Sequence, residues 1–290
     1  MQLIFFIISF QLVIYGNERW GFSRNARIAS LGEASSSIID PGSFLFNPAT
    51  SSLFQNKVIQ ATFSNYFSGF FKFGTFNFIA GDSIRKFFTS LNYIFSDNIY
   101  YTIYEDTVEA SNIDEIVKKG VIKINSIQIL GGFSNKLKNF NFGLLLKFMR
   151  ENLYVGKGYG IGMDVGFLFS DEFNFSFSLR NFLGSINLWD SGRKEYIPTS
   201  LRVGFSKNFL ERILFSFDTE SYFESRFRIS YYAGLEAKIL KSYFIRAGWR
   251  ENIPTIGFGF RIKNLDIDYA IGGNFELSAF HIVSLSCILR

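Results

Sequence analysis

From Asn56 to the last residue, apolar and polar positions alternate one by one, the period of a β-strand with a single apolar face. Phe140, Phe142, Leu144, Leu146 and Phe148 are interleaved with Asn139, Asn141, Gly143, Leu145 and Lys147. Phe173, Phe175, Phe177 and Leu179 oppose Asn174, Ser176, Ser178 and Arg180, and Ile213, Phe215 and Phe217 oppose Ser216, Asp218 and Glu220. Read this way, the chain holds fourteen strands: 56–66, 69–79, 84–96, 121–134, 139–153, 155–170, 173–181, 198–208, 211–220, 226–239, 242–250, 254–262, 264–272 and 278–290. Strand four changes phase between Ile124 and Ile127, which suggests a bulge.

A strand with one apolar face suits either a soluble sandwich, with that face inside, or a membrane barrel, with that face in lipid. The strands are longer than the soluble mode of about 5–6 residues. Their polar face carries small residues and charges, as a crowded interior would. The even-numbered connections are all tight, and the two long ones, 97–120 and 181–197, are both odd-numbered. An even strand count with short turns at one end and longer loops at the other is the arrangement of bacterial outer-membrane barrels. The pattern therefore predicts an all-β fold, a 14-stranded antiparallel transmembrane β-barrel over 56–290, with Phe142 facing lipid near a strand centre.

Residues 17–55 do not alternate. Asp40-Pro41 and Asn47-Pro48 each place a capping side chain before a proline, the combination that opens a helix. Gly32 and Ala49 are small enough for close packing. The segment reads as a short N-terminal helical hatch or plug, with Asn47, Pro48, Ala49, Asp40 and Gly32 as its key positions. The glycines Gly156, Gly158, Gly160 and Gly162 recur at every second position on the lumen face, which implies close packing there, with the plug as the expected neighbour. Leu3 to Tyr15 is an apolar run too short to span a bilayer as a helix, and residues 1–16 read as a signal peptide.

Composition narrows the chemistry. One Cys and one His exclude a disulfide scaffold, a Cys/His zinc module and a two-histidine mechanism. The net charge of +5 is scattered rather than clustered, which gives no support to nucleic-acid binding. The glycine run has no helix after it, so it is no phosphate loop. His281 opens the last strand on the lipid-facing parity, where an interfacial role is expected. Asp218, Glu220, Glu236, Asp266 and Asp268 share the inner face with Arg226, Arg228, Arg246, Arg250 and Arg261. Such groups are expected to pair, because a charge taken out of water needs a partner. No enzyme activity and no cofactor are expected.

Asn25-Ala26-Arg27-Ile28-Ala29-Ser30-Leu31-Gly32-Glu33-Ala34, then Asp40 and Asn47-Pro48-Ala49, resembles the N-terminal hatch of the PorV/PorQ family, relatives of the FadL-like outer-membrane transporters. The likeness continues through Asn181-Phe182-Leu183-Gly184, Pro198-Thr199-Ser200-Leu201-Arg202-Val203-Gly204, Arg246-Ala247-Gly248-Trp249 and His281-Ile282-Val283-Ser284-Leu285. It departs at Leu31, Glu33 and Thr50, and at Arg290, where an aromatic residue would be the standard assembly signal. The resemblance implies a plugged fourteen-stranded barrel in outer-membrane lipid, at the cell outer membrane. It implies a transport channel for hydrophobic small molecules or, alternatively, a barrel of a type IX-like secretion pathway that holds secreted-protein cargo. The acidic stretch from Asp97 to Lys119 would suit such docking.

Overall fold

The computed structural model describes residues 25–66, 69, 71–102, 118–153, 156–182, 184–223, 228–274 and 278–289. The expected signal peptide, Arg226 and most of the acidic stretch (103–117) lie outside the described residues.

The strands are β1 (Lys57–Tyr66), β2 (Phe71–Gly81), β3 (Arg85–Thr102), β4 (Lys118–Leu137), β5 (Phe140–Leu153), β6 (Gly156–Ser170), β7 (Asn174–Arg180), β8 (Ser185–Trp189), β9 (Lys194–Ile197), β10 (Ser200–Phe209), β11 (Ile213–Tyr222), β12 (Arg228–Leu240), β13 (Tyr243–Arg250), β14 (Ile253–Ile262), β15 (Leu265–Asn274) and β16 (Ser278–Leu289). Fourteen of them pair antiparallel with both neighbours and close a ring, in which β1 meets β16 and β7 meets β10. The remaining two, β8 and β9, form a hairpin that continues β7 and β10 and pairs with the far half of β6. The ring is a closed all-β antiparallel barrel with the strand count expected from the alternation.

The alternation is realised side chain by side chain. Along β1 the even positions Val58 to Tyr66 are buried and point inward, and Phe63 points outward and is exposed. The same division runs along β5, where Asn141, Leu145, Lys147 and Met149 are inward and Leu146 and Phe148 outward. His281 is outward, as expected, and its Nδ1 lies 2.7 Å from the hydroxyl of Tyr269 on the neighbouring strand.

Four expectations change. The strands flanking the first long connection run on to Thr102 and from Lys118, because the pairing of β3 with β4 resumes beyond a register shift between Ser96 and Ile99. That irregularity belongs to β3; β4 keeps its register through Ile124 to Ile127. The second long connection is not a plain loop, since Ser185–Trp189 and Lys194–Ile197 pair as strands. Phe142 faces outward but stands two residues from the start of β5 rather than at its centre.

Residues 25–54 lie against the inner face of the ring. Helix α1 (Ala26–Ser30) contacts β13 to β16, and the 3₁₀ turn Pro48–Leu53 contacts β3 to β6 on the other side. Nearly all of this segment is buried.

Candidate functional site

The interior of the barrel is the candidate site, and its chemistry starts from how residues 25–54 are fixed. Asn25 caps α1, its Oδ1 accepting from the Ile28 N–H at 3.1 Å while its Nδ2 donates to Asp40 Oδ1 at 2.6 Å. Asp40 Oδ1 also accepts from the Gly42 N–H at 2.9 Å. Burial pushes the Asp40 carboxyl above the usual carboxylate range, more than the nearby Arg27 guanidinium and the Gly42 N–H bring it down. Asn47 caps the second turn through the Ala49 N–H at 3.0 Å, and Pro48 stands at its first position. The Asn47 amide donates in addition to the carbonyls of Ser36 and Phe167, each at 3.0 Å, tying the turn to β6.

Backbone meets backbone where glycine allows it. Gly32 has φ +61° and lies directly on the main chain of Trp249, and Gly248 beneath it leaves the space. On the opposite wall, Gly143 faces the backbone of Pro48 and Ala49, and Gly166 faces Asn47. The run singled out in the sequence has a different neighbour. Gly158 packs under Asn187 and Trp189, Gly162 under Ser185, Gly160 under Met149, and Gly156 meets Asp190. These glycines leave room for β8 and β5 side chains rather than for residues 25–54. The physical reason is the break after β7, where Asn181 (φ +51°) turns the chain and β8 takes over the pairing with β6, so that its inward side chains stand beside these glycines.

The inward charges are paired into networks. Arg27 holds Glu236 with two bonds, Nε to Oε2 at 2.7 Å and Nη2 to Oε1 at 2.9 Å, and donates to the Ile39 carbonyl at 2.7 Å. Arg246 donates to the same Glu236 at 2.6 Å and to Asp268 at 2.7 Å. The chain Asp40–Arg27–Glu236–Arg246–Asp268 thus joins the N-terminal segment to β12, β13 and β15. Deeper in the ring, Arg202 bonds Asp218 at 2.8 Å and Glu220 at 3.2 Å, and Arg180 bonds Glu220 at 2.8 Å. The Arg202 guanidinium lies 4.8 Å from the Phe46 ring centroid and 4.3 Å from that of Tyr232. Asp218 Oδ2 accepts from the N–H groups of Ser35 and Ser36, and Arg202 also reaches the Glu33 carbonyl. Arg250 pairs with Glu33 at 2.7 Å, and Lys147 with Asp164 at 2.6 Å, fully buried.

Of the interior charges expected from sequence, Asp218, Glu220, Glu236, Arg246, Arg250 and Asp268 enter these networks. Arg261 and Asp266 pair with each other at 2.6 Å near the end of the ring with short turns, where Arg261 is half exposed. Arg228 is exposed at the opposite end, its guanidinium 4.4 Å from the Tyr222 ring centroid. Missed were Arg27, Glu33, Lys147, Asp164, Arg180 and Arg202. Four of these, Lys147, Asp164, Arg180 and Arg202, sit on the polar parity of their strands, but their pairing depends on the register between neighbouring strands, which alternation does not set.

A cavity of about 320 Å³ opens between the N-terminal segment and the short-turn end of β12–β16 and β1. Arg27, Asp40, Glu236, Arg246, Arg261 and Asp268 give it charge, and Phe54, Phe244 and Val58 give it apolar surface. Among the described residues no cluster of His, Cys, Asp and Glu is arranged to hold a metal.

With this geometry in place, solved structures of similar shape are informative. The CymD monoaromatic hydrocarbon channel superposes with TM-score 0.64 at 11% identity, over 93% of this chain and 99% of that one. A mutant of the TodX monoaromatic hydrocarbon channel gives 0.63 at 12% identity, over 91% and 99%. A FadL homologue of Pseudomonas aeruginosa gives 0.61 at 12% identity, over 90% and 97%. The fold is that of the FadL-like channels. No family model and no curated protein matches the sequence. The likeness is one of shape, since only 11–12% of the residues are identical.

Proposed function

We propose that this chain is a non-enzymatic outer-membrane transport barrel of the PorV/PorQ type, exported through residues 1–16, that passes hydrophobic small molecules. Residues 17–55 act as its hatch. One observation carries the membrane reading. Phe76, Leu91, Ile129, Phe148 and Ile161 stand directly opposite one another in a row across five neighbouring strands, all pointing outward and all between 47% and 54% exposed. A soluble protein rarely exposes so continuous an apolar band; a lipid-facing belt requires it. The transport reading is supported by likeness of fold to hydrocarbon channels. It is tested by placing the protein in cells whose outer membrane lacks such channels and measuring uptake of an uncharged aromatic. Fractionation should recover it in the outer membrane with heat-modifiable gel mobility, and release by high salt without detergent would defeat the reading.

A second reading, a barrel of a type IX-like secretion pathway that holds cargo, is favoured by the β8–β9 hairpin, where Tyr196 is 70% exposed. Shortening that hairpin should abolish cargo retention and leave uptake intact if this reading is correct.

A further inference from the structure

The interior wall is divided by charge. Among the described residues, the inward side chains of β16, β1 and β2 carry no charged group, and β3 and β4 carry one each, the buried Lys86 and the exposed Lys136, both at the short-turn end. The inward charges of the networks above belong to β5–β7 and β10–β15. The N-terminal segment follows this division. Its ion pairs with the wall go to Glu236 on β12 and Arg250 on β13.

The uncharged sector is layered. Toward the loop end, Tyr66, Phe73, Phe280 and Ile282 form an inward apolar collar. Below it lies a belt of neutral groups bonded to one another: Asn77 donates to Gln60, Gln60 to Ser286, and Thr75 to Asn92. Below the belt, Ile79, Phe88 and Leu130 form a second apolar collar, closed by Phe44 of the N-terminal segment. The rings of Phe44 and Phe88 are 4.6 Å apart, and the Phe88 ring lies across Gly132, in space that any larger residue there would take. Val58, the register neighbour of Ile79, which in turn neighbours Phe88, lines the cavity at the short-turn end. Only van der Waals contact holds the Phe44–Phe88 closure. Parting it leaves every ion pair of the N-terminal segment in place, whereas parting the opposite side would break buried pairs.

We propose that uncharged apolar molecules pass along the β16–β4 sector, and that Phe88, closed on Phe44, is the residue that sets their size. This deepens the transport reading and rests on it. Neither collar carries a cation, so a carboxylate passing them meets no counter-charge before Lys86 at the short-turn end, whose ammonium already bonds the Gln55 and Gly81 carbonyls; the sector therefore favours uncharged molecules over anions.

The test compares wild type, Phe88→Ala and Phe88→Trp. Uptake of radiolabelled benzene and of radiolabelled octanoate is measured in cells, and crystals are soaked with bromobenzene. Phe88→Ala is expected to raise benzene uptake several-fold with octanoate unchanged, and Phe88→Trp to reduce benzene uptake. Bromine peaks should lie beside Phe88 and in the β16–β4 sector. Equal gains for octanoate, unchanged benzene uptake in Phe88→Ala, or bromine peaks confined to the charged sector would each overturn the proposal. Should Phe88→Trp fail to give a heat-modifiable band, Phe88→Ala decides. Wild-type uptake no faster than in cells without the protein would remove the transport reading, while the soak still decides whether the sector binds uncharged aromatics.

Discussion

Replacing Arg246 with Met tests whether the charged side of the interior is dry. Its guanidinium is 3% exposed and serves two carboxylates, Glu236 at 2.6 Å and Asp268 at 2.7 Å. Glu236 keeps two bonds from Arg27 when Arg246 is lost. Asp268, 7% exposed, loses the one ion pair the structure gives it. Removing one partner of a buried pair typically costs about 3–5 kcal/mol, because the other charge is left without water or counter-charge. The cavity of about 320 Å³ borders both carboxylates and admits some water, which places the expected loss at the lower end, ~3 kcal/mol. The assay is denaturant unfolding of the refolded barrel in lipid, followed by tryptophan fluorescence. Trp249, outward and half exposed three residues along the same strand, is a reporter of β13. The double variant Arg246→Met/Asp268→Leu removes the stranded charge and should recover most of the loss. A single-variant cost below about 1 kcal/mol, the range of exposed pairs, would refute the reasoning and make this region a water-filled pore.

Phe148→Arg, outward at mid-strand, should cost about 2–4 kcal/mol in the same assay if it meets the bilayer midplane. Asn47→Leu removes a cap worth about 0.5–2 kcal/mol and two bonds to Ser36 and Phe167; deleting residues 21–55 should go further and raise conductance in planar bilayers. Leu210 and Glu211 both adopt positive φ in the β10–β11 turn, so Leu210→Asn/Glu211→Gly should stabilise by ~1 kcal/mol or more, read as a shift of the denaturation midpoint. Asp40 has its folded pKa raised above the unfolded value of about 3.9. Its contribution is therefore full at low pH and lost as pH rises through the raised value, so wild type should gain stability relative to Asp40→Asn as pH is lowered from neutral toward 4.

The ring itself was legible in the sequence because a strand period of two leaves its mark on every residue, and because tight and long connections fell on opposite ends. The β8–β9 hairpin was not, although Ile186 and Leu188 alternate with Asn187 and Trp189. Five residues of alternation between turn signals carry too little weight against a long loop. The charge networks were half legible. Parity puts Asp218 and Glu220 inside, with Arg180 and Arg202 on the same face of the two preceding ring strands, β7 and β10, but alternation does not set the register that brings each guanidinium to its carboxylate. The glycine run faces β5 and the 185–190 stretch rather than residues 25–54, because the long connection folds into a hairpin beside β6 that the alternation does not reveal. Arg27 and Glu33 precede the alternating region, where periodicity says nothing about what a side chain touches.

The seam between β1 and β16 has a consequence for assembly. Lys57 is opposite Leu289, so the ring is sealed by residues more than two hundred positions apart, the most distant strand pairing in the chain and the costliest in loop entropy. The residues packed inside are the ones synthesised just before β1. Sealing around a segment already seated against β13–β16 avoids threading a chain through a finished cylinder. A barrel built in this order encloses its contents at the moment it closes, and the last strand acts as the lid of a box that was filled first.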